Sequence, residues 1–392
     1  MISRLQAALQ RIQHDLAQVI DPDLITEICR TVGYRFRCRL LDPIATIQLF
    51  VLQVLRGNVA IARLKDFTDQ IFSEAAYCKA RMRLPLEVLQ HLLQRVGQAV
   101  QPTIAEAGQW LGHRTFLLDG SSFSMPDTPE LQKEFGQPGN QSAGCGFPVA
   151  HLLTLFHAHT GFLLRVFAAP LRTHDLAHAR LTHAALRAGD VLLGDRAFAS
   201  FAHFALLLGQ GLHGLFRAHQ KQIIDFRQGR RHNVPGRKRV KGRPTSRWLK
   251  RLGVQDQLVE YIKPKERPEW LTEAEYAQLP ATLVVRELRY RITRSGCRTK
   301  AVTLVTTLLD AERYPATDLA ELYGRRWTIE TNLRHLKQTM KMDVQHCETV
   351  NGILKEMTVF ALVYNLVRAV MCAAAERQHV PVDRISFADA LG

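Results

Sequence analysis

One stretch constrains how the rest of the chain can be arranged. Between Arg217 and Arg251, thirteen Lys and Arg residues stand against a single acid, Asp225. Unpaired charge at that density cannot enter a core, so the segment must leave the fold while the apolar stretches on either side close around its ends. Pro235, Gly236, Gly242 and Pro244 break it into turns. It carries twelve of the chain's +16 net charges and so calls for a polyanionic partner, nucleic acid before an acidic membrane. A solvated loop is the plainer alternative for any charge run. A membrane surface is the weaker partner because these basic residues lie among turns, not on an amphipathic helix.

Composition permits a large core: 46% of the 392 residues are hydrophobic and 22% charged, enough for two or three domains. Residues 1–108 read as an all-helical domain, with apolar spacing of three and four over Ile2–Val19, Asp42–Val54 and Leu86–Ala105. Arg30, Arg35, Arg37 and Arg39 could touch phosphate there, beside the simpler reading of a packed helical domain. The N-terminus lacks the apolar centre and cleavage site of a signal peptide. The apolar stretch Val359–Ala375 is interrupted by Asn365 and Arg368, which predicts a buried or amphipathic helix rather than a membrane span. Seven scattered cysteines, never spaced Cys-x2-Cys, indicate neither a disulfide framework nor a zinc site and fit a reducing cytosol.

After Gly112 the pattern changes to short apolar runs bounded by turn residues. Thr115–Leu118 ends in Asp119-Gly120-Ser121, and Val149–Phe156 and Phe162–Phe167 flank His159-Thr160-Gly161 as a hairpin. Leu176–Ala188 is helical, Val191–Leu193 is a strand ending in Gly194-Asp195, Phe201–Leu208 is helical and Leu212–Phe216 a strand. This order predicts an α/β fold, a mixed sheet covered by helices. Residues 217–300 read as a basic, β-rich insertion with strands at Gln257–Ile262 and Thr282–Ile292, followed by Ala301–Leu308. The core then comprises residues 109–216 and 301–392. In its second part, Pro315-Ala316-Thr317-Asp318 opens a long helix to about Met340, with Thr317 or Asp318 as N-cap.

The chemistry-bearing residues fall in three places. Asp119 and Asp195 each close a buried strand, where a carboxylate is fixed by the sheet yet open at its rim, an arrangement suited to a divalent cation. A single such Asp would be read as a turn residue. On the long helix, Tyr323, Arg326, Glu330 and Lys337 fall within one narrow stripe at about 100° per residue. A carboxylate, two cations and a phenol on one face suit a metal-bound phosphate, whereas a surface helix with an Arg326–Glu330 ion pair is the equal alternative.

The stripe Tyr323-x2-Arg326-x3-Glu330-x6-Lys337 resembles the YREK motif of the insertion-sequence-four family of bacterial transposases, within the DDE superfamily. Leu118-Asp119-Gly120-Ser121 resembles that family's first-Asp block and Gly194-Asp195-Arg196-Ala197-Phe198 its second. Weaker resemblance runs through Leu49–Phe67, Cys78–Pro85 and Tyr364-Asn365-Leu366-Val367-Arg368. The resemblance implies an RNase H-like core with Asp119, Asp195 and Glu330 as a catalytic triad for two Mg2+ or Mn2+ ions. It further implies cleavage at terminal inverted repeats of double-stranded DNA and joining of the 3′-hydroxyls to target DNA. A homodimer in a paired-end complex, acting on the nucleoid in a bacterial cytoplasm, is also implied. Arg326, Lys337, Tyr323 and Arg196, with Arg237, Lys238, Arg239 and Lys241 of the basic run, are the expected DNA contacts.

Two other readings stay open: a metal-dependent nuclease of the same fold without strand transfer, and an inactive DNA-binding relic. Trp248 and Trp270 lie in the insertion outside any aligned motif, and Trp327 is expected to pack. The pairs His174/His178 and His157/His159 lack a third ligand and read as ordinary histidines. No Gly-x4-Gly-Lys-Ser/Thr loop supports an ATP-driven motor, and Ser121 and Ser122 lack a nucleophile elbow.

Overall fold

The computed structural model describes residues 21–391 apart from 38, 100–108, 140–141, 143–145, 172, 174, 235, 292–300 and 344. The helix expected at Ile2–Val19, the last turns of that expected to Ala105, and His174 lie outside the described residues.

The first described part is helical: α1 (Pro22–Thr31), α2 (Pro43–Leu55), the single turn α3 (Ile61–Leu64), α4 (Glu74–Arg83) and α5 (Leu86–Ala99). Local signals set the boundaries. Asp21 and Asp42 cap α1 and α2 ahead of prolines at the first helical position, and Ser73 caps α4. The apolar faces of α1, α2 and α5 enter the main core through Ile25, Phe50, Val88 and Leu92.

Nine strands form one sheet: β1 (Thr115–Ser124), β2 (Val149–His157), β3 (Leu163–Pro170), β4 (Val191–Gly194), β5 (His213–Arg217), β6 (Arg247–Gly253), β7 (Asp256–Ile262), β8 (Thr282–Arg291) and β9 (Ala301–Thr306). Their order is β3-β2-β1-β4-β5-β9-β8-β7-β6. The first five, an antiparallel β1-β2-β3 meander with β4 and β5 parallel to β1, are the RNase H-like core. Strand β9 pairs antiparallel with β5, so the insertion strands continue the core sheet.

Between the strands run α6 (Pro129–Phe135), α7 (Asp175–Thr182), α8 (Phe201–Gly209) and α9 (Glu273–Gln278). After β9 come α10 (Ala316–Gly324), α11 (Trp327–Arg334), α12 (Val350–Gln378) and α13 (Phe387–Leu391). Alternation along β1 divides the sheet faces: Leu117 and Phe123 pack with α5, α10, α11 and α12, whereas Phe116 and Leu118 pack with α7 and α8. Helix α12 is long and apolar enough to cross a bilayer by composition, yet 72% of that window is buried inside the protein, as the sequence predicted. Its polar residues explain the Tyr364–Arg368 motif. Asn365 accepts from the N–H of Leu163 and donates to its carbonyl, both at 2.8 Å, and Tyr364 donates to the Gly161 carbonyl. Arg368 donates twice to the Thr160 carbonyl. The turn between β2 and β3 therefore requires Gly161: its φ is +72°, and a Cβ there would lie 1.8 Å from Arg368 Nη2.

Several local expectations needed correction. Strand β1 does not stop at Leu118 but runs through Asp119 to Ser124; what ends there is the pairing with β4, which reaches only Leu117. The long helix is interrupted at Arg325 and Arg326, and after Arg334 it widens into a π turn over His335–Thr339. Its N-cap is Pro315, without a side-chain cap. Strand β6 and helix α9 were not anticipated: β6 (RWLKRLG) is an edge strand with no buried residue, and short α9 is announced only by its Thr272–Glu275 capping box.

Candidate active site

Asp119 and Ser121 point from β1 to the sheet face covered by α10 and α11. Asp119 Oδ1 accepts from the N–H of Gly120 at 2.9 Å, and its carbonyl accepts from Thr154 Oγ1. Both contacts fix the carboxylate to the paired strands β1 and β2. Asp195 directly follows β4 and caps the short helical turn after it, accepting from the Ala197 N–H at 2.8 Å. The two acids thus sit on neighbouring parallel strands at the same end of the sheet.

The interrupted helix supplies the rest. Arg326 reaches Asp119 Oδ2 through Nη1 and Glu330 Oε1 through Nη2, each at 3.5 Å. Lys337 Nζ donates to Ser121 Oγ at 3.1 Å. The stripe read from the sequence therefore converges on the β1 rim despite the break. Tyr323 is 6% exposed within the main core, and burial raises its phenol pKa to about 12, with Arg326 opposing and Asp195 adding to the rise. Arg196 is exposed and donates to Gln220 Oε1.

Electrostatics tie the acids together. Burial pushes the Asp119 carboxyl up to about 6; the Arg326 charge and the Gly120 N–H pull it down, and the Asp195 and Glu330 carboxylates push it up again. Three acids on one rim, with one half-buried cation among them, form an oxygen donor set of the type hard divalent cations take. Among the described residues no three His, Cys, Asp or Glu side chains are gathered tightly enough to hold an ion as they stand. The set fits a divalent cation in its chemistry, and Arg326 stands between two of its members.

Trp327 does not pack as expected: it is 58% exposed, with its ring 5.8 Å from the Arg326 guanidinium. At the first position of α11, its side chain projects away from the face that buries Ile329 and Leu333. In the basic run, Arg237, Lys238, Arg239 and Lys241 are exposed and make no ion pair among the described residues. Arg230 is different, being buried and bonded to the Ser246 hydroxyl and carbonyl and the Asp225 carbonyl. It holds the loop's base, a role that charge counting could not separate from its neighbours'. Of the arginines the sequence offered as phosphate contacts in the helical part, three form a row on an extended segment before α2. Arg35, Arg37 and Arg39 are exposed while the alternating Tyr34 and Phe36 pack against the core. Arg83 joins them around a cleft of about 360 Å³.

The family described as the transposase DDE domain matches residues 110–366, which include all three carboxylates. Transposase InsG for insertion sequence element IS4, from Escherichia coli strain K12, is 24% identical over 390 residues, spanning 96% of this chain and 81% of that protein. A cryo-EM structure of the piggyBac transposase synaptic complex with hairpin DNA aligns at a TM-score of 0.43 and 12% identity, over 97% of this chain and 78% of that one.

Proposed function

The chain belongs to the transposase DDE domain family, in its insertion-sequence-four branch, and from that premise we propose that Asp119, Asp195 and Glu330 are its catalytic carboxylates. Membership makes it a DNA transposase dependent on divalent metal. The finer reading is that the three carboxylates hold two Mg2+ or Mn2+ ions. Bound there, the ions would activate a water or a DNA 3′-hydroxyl and stabilise the leaving 3′-oxygen in an in-line displacement at phosphorus.

The chain's own groups have separate tasks in this reading. Asp119, fixed by strand pairing, and Asp195, fixed by its cap bond, are rigid donors, whereas Glu330 approaches from the helix. Arg326 and Lys337 hold phosphate oxygens of the strand being cut, and Arg196 takes a further phosphate beyond Asp195. Tyr323 holds the helix against the sheet and lends a hydrogen bond at the site. The loop bearing Arg237, Lys238, Arg239 and Lys241 follows the DNA backbone, as does the row Arg35, Arg37 and Arg39 in the helical domain. The substrates are the inverted repeats of the chain's own element and then a target duplex, held by two copies in a paired-end complex within the bacterial nucleoid.

The observation that carries this is the meeting of Asp119 with Arg326, 207 residues later, on the same arginine that touches Glu330. Incubating the protein and Mg2+ with a labelled duplex carrying its element's inverted repeat should give cuts at the repeat boundary. Glu330→Ala and Asp195→Ala should lower cutting by at least about a thousandfold while retaining binding, since each removes a group acting in the transition state. Equal cutting by the variants would refute the triad. Cutting without joining would favour the plain nuclease, and binding without cutting by the parent chain would favour the inactive relic.

A further inference from the structure

Of the arginines that touch aspartates among the described residues, three do so in contrasting ways inside the fold. Arg286 is 1% exposed and donates through Nε to Asp256 at 2.8 Å, with Nη2 on the second oxygen of the same carboxylate. Arg114 forms the same two-pronged pair with Asp190, with Nε at 2.8 Å. These are permanent structural pairs. Arg326 instead divides its two terminal nitrogens between two carboxylates, both at 3.5 Å, the outer limit of a hydrogen bond. Its Nε is buried without an acceptor. A guanidinium so placed has donor capacity left unused and two contacts weak enough to exchange.

The surroundings allow that exchange. Arg326 occupies the link between α10 and α11, following Gly324, the last residue of α10. Its guanidinium lies 5.9 Å from the buried Tyr323 ring and 5.8 Å from the exposed Trp327 ring, so one aromatic face lies inside and the other leads to solvent. The carboxylate oxygens it touches are the ones a divalent cation would need, and its fork suits a phosphate bidentately.

We propose that Arg326 is an exchangeable counter-ion, whose transfer from Asp119 and Glu330 to a DNA phosphate couples metal loading to DNA binding. This rests on the reading of those two acids as metal ligands. While the arginine holds the carboxylates, it competes with a cation for the same oxygens. A phosphate that draws the guanidinium outward removes that competition, and a cation that displaces it frees a phosphate-binding fork. Linkage makes the two effects equal in size. The consequence is economy of cutting: the site loads its ions where DNA is in place.

The test is Mn2+ binding, measured by titration with electron paramagnetic resonance, with and without a short end duplex. The parent chain should bind Mn2+ roughly fivefold or more tightly with duplex present, and the duplex more tightly by the same factor with Mn2+. Arg326→Gln should bind Mn2+ more tightly than the parent without DNA and lose most of the increase that DNA gives. Lys337→Gln, which removes a cation bonded to a hydroxyl and not to a carboxylate, should weaken duplex binding and keep the metal–DNA coupling. Circular dichroism and unfolding midpoints confirm that each variant is folded. If Arg326→Gln keeps the parent's full coupling while Asp119→Asn abolishes Mn2+ binding, the counter-ion idea is wrong and the metal reading stands. Parent-like Mn2+ binding in both Asp119→Asn and Glu330→Gln would overturn the metal reading and the coupling with it.

Discussion

His183 and His203 stack with Nε2 atoms 3.1 Å apart, 2% and 1% exposed, between α7 and α8. His203 Nδ1 meets the Phe198 carbonyl at 2.9 Å and must donate there, so its Nε2 accepts the proton that His183 Nε2 carries. Burial lowers their pKa values to about 3 and about 4, His203 lowering that of His183 further and the Phe198 bond partly restoring that of His203. Both are neutral in the folded chain at pH 7. In the unfolded chain they titrate near 6.5, so stability present above that pH is lost as protons bind the unfolded state, progressively down to about pH 4. At pH 5 the loss is on the order of 2 kcal/mol per histidine. Urea unfolding at pH 7 and pH 5 should therefore show a smaller loss in His183→Phe than in the parent; an identical loss would contradict the neutral pair. Both histidines are core residues: His203 is bonded at both ring nitrogens and His183 at Nε2. Asp119 and Asp195 could be singled out because two carboxylates close apolar runs in the same local setting, and Glu330 because spacing on a helix is readable. That one arginine would touch two of them was not readable, since it depends on how far the break at Arg325 turns the second half of the helix.

Helix α12 and the β2–β3 hairpin depend on each other through Asn365. Its side chain satisfies both backbone groups of Leu163, where β3 begins and the ladder shifts register near Phe156. Asn365→Ala leaves a buried N–H and a buried carbonyl unpaired and should cost about 2–4 kcal/mol in urea unfolding. A cost under about 1 kcal/mol would mean that water or a shifted turn replaces those bonds. The hairpin itself was legible, because Val149–Phe156 and Phe162–Phe167 are long β-rich runs around a turn tripeptide. The break between α10 and α11 was not. The apolar spacing of Leu319, Leu322, Ile329 and Leu333 continues across it, and nothing local marks the π turn before Met340. Strand β1 was cut short for the opposite reason: Asp119-Gly120-Ser121 has turn composition, but pairing with β2 along its whole length overrides it.

Across the molecule, the basic loop between β5 and β6 projects from the end of a sheet that also bears the carboxylates. If the loop lies along DNA, replacing Arg237, Lys238, Arg239 and Lys241 with Gln should flatten the log–log dependence of duplex affinity on salt by about 0.9 for each phosphate no longer neutralised. An unchanged slope would place the loop in solvent. Composition located this loop at once, yet it could not show that the insertion strands β8 and β7 continue the core sheet beyond β9, because pairing between distant segments leaves no periodic trace in either. That joint has a bearing on how the enzyme comes into being. Strand β5 waits for β9, and Asp119 and Asp195 wait for Glu330, so the last acid of the proposed triad leaves the ribosome well after the insertion. In the proposed reading, a chain interrupted before α11 would carry two of the three acids and the basic loop but no means of cutting. On that reading, synthesis itself would keep a growing transposase from attacking the genome that encodes it.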